Sequence, residues 1–297
     1  MSAAVSVTSR IVFSVPARSR RGLTGIWRRA LIGLALLMVQ PGFATAQTVG
    51  EGLNAYRAGD YDKARDIWAE LAEDGNPTAQ FNLGILYDEG RGVDRDPVRA
   101  RELWNAAAQS GLMTARHNLA LASLEGAKDT ESLKSAIGDL NRVAETGYAP
   151  SLYTLGKLLM TDIGQSAGLP DDPAKAADLI SRAAEAGHTA AAYNMGKLYR
   201  DGVGVAPDPE KAAAWFRRAA LQGHAGAQDH YARRLATGDG VPQDRARALA
   251  FALLAARQDY DGALELAEDL KDSMDIMDIA AAVRFADQFR PRTGQAG

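Results

Sequence analysis

The sequence predicts an all-helical repeat protein, and three observations carry the prediction. Gly75, Gly111, Gly147, Gly187 and Gly223 recur at separations of 36, 36, 40 and 36 residues, a period typical of stacked helical units. Three further columns keep that register: Ala79, Ala115, Ser151, Ala191 and Ala227; Leu83, Leu119, Leu155, Met195 and Tyr231; Ala100, Ala136, Ala176, Ala212 and Ala248. Within each period, two stretches place apolar residues at helical spacing and are parted by a break that is usually rich in glycine.

The first 46 residues differ from the rest. They hold Arg10, Arg18, Arg20, Arg21, Arg28 and Arg29 with no acidic residue, then an apolar run from Ala30 to Val39, then Pro41, Gly42 and Ala44-Thr45-Ala46. The run is too short to cross a bilayer comfortably, and the small residues after it suit a signal peptidase. Residues 1–46 therefore read as an export signal cleaved after Ala46, and the mature protein is expected in the periplasm or secreted. An uncleaved membrane anchor is the competing reading. Ser19-Arg20-Arg21-Gly22-Leu23 faintly resembles a twin-arginine signal, although the residues after Leu23 depart from that pattern.

The chain is 24% charged and 46% hydrophobic, enough to bury a core. It contains no cysteine, which removes disulfides, thiolate metal sites and a cysteine nucleophile. Cleavage after Ala46 would leave 28 of the 34 basic residues against 37 acidic ones, a net charge of about −9. Such a chain is a poor partner for nucleic acid, and it would meet the membrane only during export.

After the signal, residues 51–76 read as an N-terminal capping hairpin through Tyr56-Arg57-Ala58-Gly59-Asp60-Tyr61. Five repeats come next, at 77–112, 113–148, 149–188, 189–224 and 225–258. In the first, Thr78 to Glu89 forms one helix, with Ala79, Leu83, Leu86 and Tyr87 on one stripe. Gly90-Arg91-Gly92 reverses the chain, because glycine takes positive φ without steric cost. The second helix starts at Asp96-Pro97, where aspartate caps free amides and proline suits the first turn, and it ends at Gly111 as a left-handed terminator. Asp172-Pro173 and Asp208-Pro209 repeat the start signal.

Two repeats depart from this pattern. The second has Gly126-Ala127-Lys128-Asp129-Thr130 as its reversal. The third has Leu159 where a tyrosine is usual, and its four additional residues are expected to lengthen the loop around Gln165-Ser166-Ala167-Gly168. Residues 259–290 read as a C-terminal helical cap, with helices over Gly262 to Lys271 and Asp275 to Arg290 and an apolar stripe of Ile276, Ile279, Val283 and Ala286. Such caps shield the last apolar face of a stack. Residues 291–297 read as a flexible tail.

The run Ala191-Ala192-Tyr193-Asn194-Met195-Gly196-Lys197-Leu198-Tyr199, with Gly202-Val203-Gly204, Asp208 and Lys211-Ala212-Ala213-Ala214-Trp215-Phe216, resembles the Sel-one-like repeat family, which is related to tetratricopeptide repeats. The resemblance covers roughly Gly52 to Ala256. It implies a right-handed superhelix of antiparallel helix pairs, in which the first helices line a concave surface that binds proteins or peptides. It also implies an adaptor acting in the bacterial cell envelope. A self-assembling scaffold is the alternative, and a cell-wall hydrolase a remote third.

Candidate contact residues lie on the first helices, off the buried stripe. Asn82, Asn118 and Asn194 share a column in which the amide can either pair with a ligand backbone or bond within the repeat. A second column runs Ile85, Leu121, Lys157, Lys197 and Arg233, and its basic end suits an acidic peptide or carboxylate. Tyr153 and Tyr193 can add stacking area or serve packing. The four histidines, His117, His188, His224 and His230, form no ligand cluster in sequence. No zinc-protease motif, phosphate loop or nucleophile elbow is present. The expectation is a binding scaffold without catalytic residues, metal or cofactor.

Overall fold

Most helices start where the sequence supplies a side-chain acceptor for free amides or a proline that needs none; the helices that begin at Met113 and Ala263 have neither. The computed structural model describes residues 48–292, and all regular structure in that span is helical. The expected export signal, its cleavage point at Ala46, and residues 293–297 lie outside the described residues. Thr48 opens α1 (Val49–Arg57) with a capping box to Glu51, and Asp60 caps α2 (Tyr61–Glu73). These two helices form the N-terminal hairpin.

The first helices of the five repeats are α3 (Pro77–Glu89), α5 (Met113–Glu125), α7 (Ala149–Leu158), α10 (Thr189–Asp201) and α12 (Ala225–Thr237). The second helices are α4 (Pro97–Gln109), α6 (Thr130–Glu145), α9 (Pro173–Glu185), α11 (Pro209–Leu221) and α13 (Arg245–Ala256). Asp96, Asp172, Asp208 and Asp244 cap four of the second helices through side-chain bonds of 2.9–3.0 Å to backbone amides. A lost aspartate cap typically costs about 1 kcal/mol.

The principal helix contacts join neighbours along the chain, from α1 against α2 through to α12 against α13. This is a stack of helix pairs, not a set of helices around one centre. Ala79, Ala115, Ser151, Ala191 and Ala227 are all fully buried, as are Ala100, Ala176, Ala212 and Ala248 in the facing column. Small side chains at these places let the helix axes approach, and bulky ones fill the space between. Trp68, Trp104 and Phe216 are each at most 5% exposed.

A second joint locks the reversals of the fourth and fifth repeats onto the preceding repeat. A Cβ added at Gly204 would stand 2.0 Å from the carbonyl oxygen of Pro173, and one at Gly240 would stand 2.1 Å from that of Pro209. Both glycines hold φ near +70°. The reversal therefore rests on the first turn of the preceding second helix, at a distance only glycine permits.

Five expectations need correction. The four additional residues of the third repeat do not simply lengthen a loop. They accompany a shortened α7 and a one-turn helix, α8 (Asp162–Ser166), capped by Thr161. In the second repeat Gly126 stays right-handed, with φ −84°, and α6 begins early, behind the capping box of Asp129 and Ser132. Thr130 thus belongs to a 16-residue helix.

At the C-terminal end, α14 (Ala263–Lys271) packs on α13, and so does α15 (Ile276–Gln288). The α15 stripe is Ile279, Ala282, Val283, Ala286 and Phe289, while Ile276 is 80% exposed. The repeat pattern also outlasts Ala256. Ala263 and Ala267, 36 residues beyond Ala227 and Tyr231, are fully buried, and Asp259 holds φ +54° where earlier repeats place glycine. Finally, the expected tail is anchored at its start, where the Arg292 amide donates to the Leu221 carbonyl at 2.8 Å.

A candidate interface along the first helices

The same position on each first helix carries Phe81, His117, Tyr153, Tyr193 and Asp229. The residue just before each following first helix is Leu112, Tyr148, His188 and His224, and Tyr260 continues that column ahead of α14. The structure brings these two series together as a ladder across the repeats. The rings of His117 and Tyr148 lie 5.7 Å apart, those of Tyr153 and His188 4.6 Å, and those of Tyr193 and His224 4.3 Å. Aromatic pairs at such separations add about 0.5–1.5 kcal/mol beyond their burial.

Tyr153, Lys157, Tyr193, Asn194 and Lys197 form one patch on α7 and α10. Lys157 Nζ lies over the Tyr153 ring at 5.7 Å, and Lys197 Nζ over the Tyr193 ring at 5.9 Å. Among the described residues, neither lysine has a carboxylate within 4.0 Å, and Asp201, one turn beyond Lys197, is held by Arg200 at 2.7 Å. The Asn194 amide donates to the Tyr153 hydroxyl at 2.7 Å, tying adjacent repeats together. Burial pushes the Tyr153 phenol up, with the Asn194 bond working against it. Burial and the neighbouring Tyr260 push Tyr193 up to about 12. Both phenols stay neutral, so the positive charge of the patch belongs to the lysines.

The other candidates fare differently. Arg233 is bound to the buried carboxylate of Asp229 at 2.9 Å and reaches the Gly262 carbonyl at 3.4 Å. Its charge is therefore largely compensated. Asn82 and Asn118 are half-buried on α3 and α5, and their amides have no protein partner among the described residues. Ile85, which heads the basic column, is buried with Phe81 and Trp104 and serves the core.

Reading the sequence missed two things. Asp229 occupies the ladder position that is aromatic in the other repeats, a break visible once the column is written out. His188 and His224 are N-caps: their Nδ1 atoms accept from the amides of Ala191 and Ala227 at 3.1 and 3.2 Å. The signal was their alignment with Asn76, which caps α3 from the same column. His117 Nδ1 lies 2.8 Å from the Ser151 hydroxyl in a buried setting. Burial holds His117 and His188 down to about 4, and it also lowers His224 and His230.

Among the described residues, no three side chains are grouped to hold a metal ion, and no helix is long and apolar enough to cross a membrane.

The sequence pattern of the Sel1 repeat matches residues 77–112, 149–188, 189–224 and 225–260. Residues 113–148, between the first two matches, form the divergent pair α5 and α6. A Sel1 repeat protein from Oxalobacter formigenes is similar in structure, with a TM-score of 0.63 and 27% identity over 82% of this chain and 100% of that one. A protective antigen with an SLR fold, present in uropathogenic Escherichia coli strains, gives a TM-score of 0.61 and 27% identity over 84% of this chain. The chain spans 55% of that antigen's length. An immunity protein from Pseudomonas aeruginosa shares the fold, with a TM-score of 0.50 and 20% identity over 71% of this chain and 83% of its own. No curated protein matches the sequence.

Proposed function

The chain belongs to the Sel1 repeat family, and from that premise we propose that it is an exported scaffold whose first helices hold a protein or peptide partner in the bacterial cell envelope. Sel1 repeat proteins are non-catalytic scaffolds that generally mediate protein–protein interaction. The finer reading rests on one observation: Lys157 and Lys197 occupy equivalent places in successive repeats, each over a tyrosine ring and neither with a carboxylate partner within 4.0 Å. Two such cations on a rigid aromatic floor suit an acidic segment or a terminal carboxylate, with the unpartnered amides of Asn82 and Asn118 as further contacts along the same concave side. Export is supported by the arginine-bearing, apolar segment that ends at Ala46.

The test is partner capture by the wild type and by a variant carrying Lys157→Glu, Lys197→Glu and Arg233→Glu. Weakened capture with unchanged helical circular dichroism supports the reading. Equal capture removes the basic column from it. Because Arg233 is held by Asp229, Lys157→Glu and Lys197→Glu together are expected to account for most of the loss.

A second reading, self-assembly, draws on Leu264, Ile276, Met277 and Phe285, large apolar side chains that are 42–80% exposed on α14 and α15. Light scattering separates a monomeric adaptor from an oligomer.

A further inference from the structure

The residue that precedes the first helix of each of the five repeats falls in one column: Asn76, Leu112, Tyr148, His188 and His224; Tyr260 stands in the same column, three residues before α14. Three of these cap a helix with their side chains. Asn76 does so with an amide oxygen that does not titrate near neutral pH, accepting from Thr78 and Ala79 at 3.0 Å. His188 and His224 do so with Nδ1, which accepts from Ala191 and Ala227. An imidazole accepting at Nδ1 is neutral and carries its proton on Nε2.

The two rings also form the junctions between repeats. His188 lies against Tyr153 of the third repeat, and His224 stacks on Tyr193 of the fourth with an interplanar angle of 21°. The titratable groups facing His188 are Tyr153 and, from α5, His117. Those around His224 are Tyr193 and, across that ring, His230 and Tyr260. Lys157 and Lys197 lie over the same two tyrosines. Asp201 and Asp229, which sense His230, are bound to Arg200 and Arg233. Among the described residues, no carboxylate pairs with His188 or His224.

We propose that His188 and His224 are acid-sensitive latches between the third, fourth and fifth repeats. A proton taken from solvent goes to Nδ1, turning the acceptor into a donor that faces an amide donor. The cap is lost, and a cation now sits at a helix N-terminus, where the dipole is positive. It is also enclosed by rings, with lysines above them. The ring then leaves its tyrosine, and the junction loosens. This holds whatever the first helices bind.

Asn76 supplies the test. The double variant His188→Asn, His224→Asn keeps a cap acceptor and removes the titration. Unfolding of the whole chain is measured from pH 7.5 to 5, together with hydrogen exchange at the Ala191 and Ala227 amides. In the wild type, the unfolding constant is expected to rise on the order of tenfold per histidine between pH 7 and 5, with early loss of protection at both amides. The double variant is expected to lack that additional rise. The same pH dependence in both proteins overturns the proposal. If the double variant does not fold, histidine ring-proton resonances of the wild type decide. Titration of both rings near pH 6.5 with Ala191 and Ala227 still protected also overturns it, whereas rings that stay neutral until protection is lost uphold it.

Discussion

Gly196 on α10 receives the ring of Phe216 on α11 so closely that an added Cβ would stand 2.6 Å from the ring carbon Cδ1. The same complementarity recurs with other sizes. Gly84 faces Trp104, with an added Cβ 2.5 Å from the indole nitrogen, and Gly156 faces Ile180 at 2.8 Å. The second repeat uses the buried pair Ala120 and Leu140, and the fifth uses Ala232 and Ala252. The two alanines face Leu140 and Ala252, both smaller than the Trp104 and Phe216 that Gly84 and Gly196 face. Each pair is therefore fitted within its own repeat, while the backbone arrangement is shared by all.

Gly196→Ala is expected to destabilise the protein by about 1–3 kcal/mol through overpacking, although alanine in a helix interior ordinarily gains about 0.5–1 kcal/mol over glycine. Adding Phe216→Leu, which recreates the pairing of Ala120 with Leu140, is expected to recover part of that loss. Chemical denaturation of the two single variants and the double variant measures the coupling. A neutral or stabilising Gly196→Ala would contradict this packing.

Ala191→Leu and Ala212→Leu enlarge two side chains that have no exposed surface, and each is expected to cost about 1–3 kcal/mol. Val98→Ala, at a site 66% exposed, serves as the control and is expected to stay within about 0.5 kcal/mol of wild type. Thermal unfolding ranks the three, and equal effects at the buried and exposed sites would argue against tight stacking.

Gly238 and Gly240 both have positive φ, yet their surroundings differ. A Cβ at Gly238 would find its nearest neighbour at 3.6 Å, whereas one at Gly240 would strike the Pro209 carbonyl. Gly238→Ala should show only the backbone strain, about 1–2 kcal/mol. Gly240→Ala should cost more and separate the fourth and fifth repeats locally. Hydrogen exchange in α12 reads the difference, and the reverse order would refute the joint.

His117 carries a pH dependence whose sign is set by its burial. Its folded state holds the ring down to about 4, below the value near 6.5 expected for the unfolded chain. The unfolded chain therefore binds the proton first. The stability this provides is complete above pH 6.5 and is lost as pH falls towards 4. Between pH 7 and 5 the loss is expected to be roughly 1–2 kcal/mol, and His117→Gln, which keeps a partner for Ser151, should remove it. Denaturation midpoints at the two pH values check this, and an unchanged pH difference in His117→Gln would count against it.

The repeat was legible because every helix pair meets the same packing demand, so small residues and glycines recur in fixed columns. The limits of that legibility have physical causes too. The sixth first-helix position, α14, is hidden because Asp259 replaces glycine at the positive-φ site, and because the exposed Glu268 occupies a column that is small and buried where a second helix packs. The helical form of the third-repeat insertion depends on Thr161 capping a single turn, a local choice that repeat spacing does not encode. In the candidate interface, the columns located Lys157, Lys197, Tyr153 and Tyr193. They did not show that Asn194 bonds to Tyr153, 41 residues earlier, or that Arg233 pairs with the buried Asp229 one turn before it. The first pairing depends on how far one first helix is rotated against the next; the second is an i,i+4 pair within α12 whose spacing the sequence does hold, but which column reading passes over.

A partner-binding face along the first helices is tested most directly by placing a photoreactive amino acid at single positions and irradiating intact cells. With the probe at Lys157 or Lys197, the same discrete crosslinked species is expected from both. With the probe at Arg142 or Arg182, exposed on the second helices, that species should be absent. Equal crosslinking from all four positions, or crosslinking only from the second helices, would contradict the assignment of the binding face.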